Sequence, residues 1–195
     1  MTLKTIKIAL FGTSADPPTN GHKVILEKLS KEYDLVVSYA SSNPSKIHKE
    51  NLFYRSLLLE ALIDNLNNQK VLFDQAISSP WAINSIKSCK RKYQKSKISF
   101  VIGSDLLEEL FSWKSIDNII KEVKFLIIPR EGYPINSTSL NHIKSAGGIV
   151  EISSFKIPNI SSSMIRSNNE ESLIPKSLFE IIKENNLYNS SNIEK

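Results

Sequence analysis

The sequence predicts an α/β protein: a Rossmann-like parallel sheet with helices on both faces. Three observations predict it. Short apolar runs bounded by turn residues recur along all 195 residues, each of a length that suits a buried strand. Segments with helical apolar spacing alternate with them, the pattern of βα units and right-handed crossovers. The first apolar run opens straight into a turn built of Gly, Asp, Pro and Asn, at the place where open parallel sheets bind ligands.

The elements follow in order. Ile6 to Phe11 reads as the first strand. A helix follows through Val24, Ile25, Leu26 and Leu29, opening at Gly21 with Asn20 as its cap. Asp34 to Ala40 is the second strand, ended by the turn chemistry of Ser41-Ser42-Asn43-Pro44-Ser45. Leu57, Leu58, Ala61, Leu62 and Leu66 lie at helical spacing. Lys70 to Phe73 is a short strand. Pro80 suits the start of a helix through Trp81, Ile83 and Ile86. Ile98 to Gly103 is a strand ending on Gly-Ser-Asp. Leu106 to Phe111 and Ile116 to Ile120 are short helical pieces, and Val123 to Ile128 is a strand stopped by Pro129. Glu131 to Ser145 reads as a mobile loop or a weak helix. Gly148 to Ile152 is a last strand. Ser161 to Ser163 cap a short helix through Arg166, and Pro175 opens a final helix over Ser177 to Asn185. Residues 1–188 are expected to form one domain, with 189–195 a fraying polar tail.

Composition narrows the class. Hydrophobic residues make up 41% of the chain, enough for a substantial core, yet no apolar run is long enough to span a bilayer. The chain enters its first strand at once and reads as lacking a signal peptide. Cys89 is the single cysteine, which excludes an internal disulfide and a cysteine zinc site. A cytoplasmic protein without membrane partners is the default. The formal charge of +5 suits an anionic small molecule. The one dense basic cluster is Lys87, Lys90, Arg91, Lys92, Lys95 and Lys97. It reads as a solvated helix end rather than a nucleic-acid site, since no known binding motif accompanies it.

Two stretches carry chemistry. In Gly12-Thr13-Ser14-Ala15-Asp16-Pro17-Pro18-Thr19-Asn20-Gly21-His22, Gly12 allows a phosphate to approach the backbone. Asp16-Pro17-Pro18 makes a stiff turn. His22 falls in the first helical turn, where free N–H groups favour an anion. In Ile157-Pro158-Asn159-Ile160-Ser161-Ser162-Ser163-Met164-Ile165-Arg166, three hydroxyls sit at a helix start. Arg166 lies one turn further on and can fork onto phosphate oxygens.

Together these stretches resemble the two signatures of the nucleotidyltransferase superfamily with the His/Thr-x-Gly-His motif, here Thr19-Asn20-Gly21-His22 and Ile160-Ser161-Ser162-Ser163 with Arg166. The middle of the chain narrows the resemblance. Val101-Ile102-Gly103-Ser104-Asp105 with Phe111-Ser112-Trp113, Phe125 to Arg130, and the ending Ile174-Pro175…Leu187-Tyr188 look like bacterial nicotinate-nucleotide adenylyltransferases over nearly the full chain. There are three departures. Thr19 stands where the usual motif has its first His, Pro80-Trp81-Ala82 replaces Ser-Tyr-Thr, and Lys114 follows Trp113 where an aromatic is common. Phosphopantetheine adenylyltransferases share Thr-x-Gly-His and rank second. A nucleotide-binding module that kept the fold and lost catalysis is the third reading.

The resemblance implies transfer of AMP from ATP to nicotinate mononucleotide, giving deamido-NAD and pyrophosphate, with Mg²⁺ arriving with ATP. It implies catalytic roles for His22, Thr19 and Arg166, with His22 on the α-phosphate. ATP would be held by Gly12, Thr13, Lys46, Asp105, Ser161, Ser162 and Ser163. The mononucleotide would be held by Trp81, Ala82, Trp113 and Lys114, with Trp113 on the pyridine ring and backbone N–H groups near Ala82 and Lys114 on the carboxylate. Read alone, Trp81 and Trp113 are equally core aromatics, Asp105 a helix cap and Lys46 a solvated loop cation. His48 and His142 read as surface residues. With three His and one Cys in the chain, a tight protein-held metal is not expected; the protein is a monomer or homo-oligomer.

Overall fold

In a computed structural model, which describes residues 5–157, 160–168 and 170–188, six strands form one parallel sheet in the order β3-β2-β1-β4-β5-β6. The strands are β1 (Ile6–Thr13), β2 (Leu35–Ala40), β3 (Val71–Phe73), β4 (Ser96–Gly103), β5 (Lys124–Ile128) and β6 (Ile149–Ile152). The helices are α1 (Asn20–Glu32), α2 (Leu52–Asp64), α3 (Ala82–Lys92), α4 (Ile116–Glu122), α5 (Ser137–Ser145), α6 (Ser162–Asn168) and α7 (Phe179–Glu184). The strand order reverses between β1 and β4, whose registers pair Leu10 with Phe100. That switch point leaves a crevice above the carboxyl ends of the two strands.

Alternation along β1 divides the core into two layers. Ala9 and Phe11 face Leu26 and Leu29 of α1, Leu58 and Leu62 of α2, Ile165 of α6, and the C-terminal Leu178 and Leu187. Ile8 and Leu10 face Ile83, Ile86 and Cys89 of α3, Ile119 and Ile120 of α4, and Ile143 of α5. Helices therefore cover both faces, as expected for a parallel sheet buried on each side. No helix among the described residues is long and apolar enough to cross a membrane.

Several boundaries differ from expectation. Thr19, not Asn20, caps α1. Its backbone is extended and its hydroxyl accepts from the His22 N–H, while His22 reaches back to the Thr19 N–H in a capping box. Asn20 is thereby the first helical residue, and its amide donates to the Ser172 carbonyl at 3.1 Å. Pro80 does not open α3. The Ser79 hydroxyl accepts the Trp81 N–H and closes a turn around the proline, so the helix starts at Ala82 with Trp81 as its extended cap. Residues 137–145 form a helix because Asn136 caps it and Ile143 is fully buried beneath it. The final helix is shorter than expected, a 3₁₀ turn at Lys176–Leu178 followed by α7. The basic cluster falls partly on the last turn of α3. There Lys90 pairs with Glu122 and Lys92 with the buried Asp74, so acids from other elements answer two of its cations. Pro158, Asn159 and the tail from Asn189 lie outside the described residues.

Candidate active site

A cleft of about 960 Å³ opens over the ends of β1 and β4. Its floor is Phe11, Gly12 and Thr13 on one side and Ile102 and Gly103 on the other; the first turn of α1, the loop after β2, the start of α3 and the start of α6 wall it in. Every residue assigned a role from the sequence lines this cleft.

His22 sits at its centre with both ring nitrogens engaged. The Thr19 backbone N–H donates to Nδ1 at 3.0 Å, and the Thr19 hydroxyl lies 2.8 Å from the same atom. Because Nδ1 receives a backbone N–H, the neutral ring carries its proton on Nε2. That atom lies 2.8 Å from Thr13 Oγ1 and donates to it. Burial, and secondarily the Arg130 guanidinium, hold the His22 pKa down at about 4. His22 is thus a neutral hydrogen-bond donor at ordinary pH. Thr19 is 1% exposed; its hydroxyl is turned to His22 and its own helix, not outward as an independent donor.

Gly12 is needed for a different neighbour from the one expected. A Cβ there would lie 2.5 Å from the ring of Tyr39, which is buried with its phenol pushed up to about 12, chiefly by that burial. Asp16, 2% exposed, accepts the N–H groups of Lys49 and Glu50 at 2.7 and 3.1 Å. It thereby ties the loop after β2 to the β1–α1 turn. Buried Arg55 adds two more ties, donating to the carbonyls of Ser14 and Ser41 at 2.7 and 2.9 Å.

The serine run divides its labour. Ser161 caps α6, accepting the Met164 N–H at 3.1 Å. Ser162 donates to the Pro17 carbonyl at 2.8 Å, so its hydroxyl docks α6 on the β1–α1 turn instead of standing free. Exposed Ser163 accepts from Arg166 at 3.2 Å. Arg166 also donates to the Asp16 carbonyl and lies 3.8 Å from its carboxylate.

Asp105 is engaged by Arg130 at 2.7 Å rather than acting as a plain helix cap. No motif in the sequence marks Arg130 as a site residue. It stands just past the end of β5, and the β4–β5 register pairs Gly103 with Ile128, which brings it beside Asp105. Its position at a strand's carboxyl end was the available signal. His48, expected at the surface, is half-buried in the cleft wall with Nε2 unpartnered. Burial, with Arg55, Lys46 and Arg166 nearby, lowers its pKa against the opposing pull of Asp16. His142 is exposed as expected and stacks on Phe111, centroids 4.3 Å apart. Exposed Lys46 reaches the cleft from the β2 loop.

Trp113 is half-buried and meets Phe100 edge-on at 6.1 Å, with its indole N–H buried and unpartnered. Trp81 is 37% exposed, so it is a wall of the cleft and not a core aromatic. The Lys114 ammonium lies 4.6 Å from its ring centroid.

An open parallel sheet with a donor-lined crevice at its switch point defines an α/β nucleotide-binding protein. Residues 10–168 match the cytidylyltransferase-like family. A probable nicotinate-nucleotide adenylyltransferase of Synechocystis is 30% identical over 94% of this chain and 99% of its own length. The nicotinate-nucleotide adenylyltransferase of Bacillus subtilis is 25% identical over the same shares. The solved Plasmodium falciparum nicotinic acid mononucleotide adenylyltransferase, complexed with NaAD, shares the fold. Its TM-score is 0.77 at 21% identity, covering 94% of this chain and 97% of that one. The chain belongs to the cytidylyltransferase-like family, and within it to the nicotinate-nucleotide adenylyltransferases.

Proposed function

We propose that this enzyme joins ATP and nicotinate mononucleotide in the cleft over β1 and β4. The mononucleotide's 5′-phosphate oxygen attacks the α-phosphorus of ATP. A P–O bond forms as the bond to the β-phosphate bridging oxygen breaks, and deamido-NAD and pyrophosphate leave. No protein nucleophile takes part; the protein positions the reactants and stabilises the charge that builds on the α-phosphate.

The observation that carries this reading is the setting of His22. Its Nε2–H is fixed in direction by the bonds at Nδ1. Thr13 Oγ1, 2.8 Å away, occupies the place of an acceptor oxygen. An α-phosphate oxygen takes or shares that place. Thr19 serves as a positioning residue for His22. Gly12 and Thr13 present backbone to the phosphates. Lys46, Ser161, Ser163 and Arg166 face the β- and γ-phosphates, with Ser162 holding α6 in place. Asp105, oriented by Arg130, meets the ribose of ATP. Trp113 gives the pyridine ring an aromatic wall, Trp81 the mouth of the pocket, and the backbone N–H groups of Ala82 and Lys114 the carboxylate.

Both cleft aspartates next to this chemistry are engaged, Asp16 by backbone N–H groups and Asp105 by Arg130. A Mg²⁺ arriving with ATP would accordingly be held by the phosphates and water rather than by these carboxylates, and would supply positive charge against the departing pyrophosphate.

The test is pyrophosphate release from ATP and Mg²⁺ with nicotinate mononucleotide, nicotinamide mononucleotide and phosphopantetheine in parallel. Release with nicotinate mononucleotide, lost in His22→Ala, is expected. Turnover of phosphopantetheine alone, or silence with all three despite ATP binding, sinks the reading.

A further inference from the structure

We infer that the Lys114 side chain selects the acid form of the acceptor, supplying a positive charge at the mouth of the pocket that Trp81 holds in place. The inference rests on the proposed reaction and adds a side-chain charge to a site otherwise furnished with neutral backbone donors.

The cations of the cleft are not equivalent. Arg130 is neutralised by Asp105 at 2.7 Å, and Arg166, on the phosphate side, lies 3.8 Å from the Asp16 carboxylate and donates to Ser163. Lys46 and Lys114 have no carboxylate partner among the described residues. Glu109 also lines the cleft but forms no ion pair with Lys114. Lys46 lies on the loop after β2, beside His48 and the Arg166 side. Lys114 lies across the cleft, next to Trp113 and over Trp81, where the aromatic walls are.

The pair itself is specific in form. Trp81 has extended backbone at the opening of α3 and makes no side-chain cap bond. Its indole is therefore free of the helix and receives the ammonium on its face at 4.6 Å. A cation so placed loses rotational freedom without losing charge, because the ring attracts it without neutralising it. Lys114 is exposed, so its field acts at the cleft mouth and falls with salt.

The chemistry then distinguishes two acceptors of nearly one shape. A backbone N–H can donate to an amide carbonyl as well as to a carboxylate oxygen, more strongly to the charged acid. An ammonium has three donors and no acceptor. It attracts a carboxylate and meets an amide NH₂ donor to donor. Neutral donors at Ala82 and Lys114 fix the orientation of the pyridine substituent and already favour the acid; the Lys114 charge adds to that preference.

The experiment compares kcat/KM for nicotinate and nicotinamide mononucleotide, by pyrophosphate release at saturating ATP, in the wild-type chain, Lys114→Met, Lys114→Arg and Trp81→Leu. The ratio of acid to amide kcat/KM is expected to fall about tenfold in Lys114→Met, as for one charge-assisted hydrogen bond partly open to solvent. Lys114→Arg should keep the ratio and Trp81→Leu should lower it by less. The wild-type ratio should also decline with added salt while the Lys114→Met ratio stays flat. A ratio unchanged in Lys114→Met, with wild-type turnover intact and the melting temperature unmoved, overturns the inference alone. A wild-type protein silent with both mononucleotides overturns the proposed reaction and the inference with it.

Discussion

The β1–α1 turn and the Trp81–Lys114 rim face the same cleft but are built in opposite ways. In the turn, His22 has both nitrogens bonded, Thr19 and Asp16 are almost wholly buried, and Arg55 and Ser162 lash neighbouring segments to the backbone. At the rim, an exposed lysine rests on a half-open indole by one contact. A donor aimed at developing charge must be fixed before reaction, because reorganisation during the step raises the barrier. A charge that only chooses between substrates can sit on a flexible stem. The difference teaches where precision is concentrated: in the residues nearest the phosphorus under attack.

The sharpest way to break that comparison is His22→Ala. Removing one preorganised donor should lower kcat by 10²–10³-fold, measured as pyrophosphate release, with ATP affinity changed far less. A loss of similar size in Lys114→Met would mean the rim is part of the charge-stabilising machinery and the contrast is false.

The second prediction uses pH. His22 resists protonation in the folded chain down to about 4, while the unfolded chain takes up the proton near 6.5. Between those values the unfolded state binds more protons, so stability rises with pH across the window and is lost as pH falls through it. At about 1.4 kcal/mol per unit the loss reaches up to about 3 kcal/mol near pH 4. Urea unfolding at pH 7 and pH 4.5 should show a steeper loss in wild type than in His22→Gln. Equal slopes would place the ring in a more solvated setting than the turn provides. Activity, correspondingly, should show no limb near 6.5 assignable to His22.

Third is Gly12→Ala. A methyl group 2.5 Å from the Tyr39 ring has nowhere to go in a buried setting and should cost about 2 kcal/mol, read as a lower melting temperature. Tyr39→Leu in the same background should recover much of it. Failure of that rescue would mean the cost of the methyl group arises elsewhere than at the Tyr39 ring.

How much of this was legible in the sequence follows the same division. His22 and the residues that orient it, Thr13 and Thr19, lie within one short stretch, so turn chemistry alone brought them together. Which of Thr19 and Asn20 caps α1 was not legible, since both are good caps. The reciprocal bond from the His22 ring decided it. Arg130 and Asp105 stand at the ends of different strands, and only the β4–β5 register joins them. His48 belongs to a loop without periodicity, and its place in the cleft wall comes with Asp16 gripping the two residues that follow it. Ser162 looked like a phosphate donor because its helix start was visible and its docking partner, the Pro17 carbonyl, was not.

The smallest effect separates orientation from chemistry within the turn itself. Thr19→Val removes the hydroxyl that caps α1 and touches Nδ1, but keeps the backbone N–H that fixes the tautomer. The lost cap should lower stability by about 1 kcal/mol. The retained N–H should keep Nε2 as the donor, so kcat should fall severalfold, well short of the His22→Ala loss, with KM for ATP little changed. A Thr19→His variant restores a ring where the hydroxyl was, in a space only 1% exposed. Unless the turn opens it should be less stable than Thr19→Val. If Thr19→Val instead matched His22→Ala in kcat, the hydroxyl itself would be the essential donor. The buried side of the turn, not the face of the imidazole, would then be where the transition state is held.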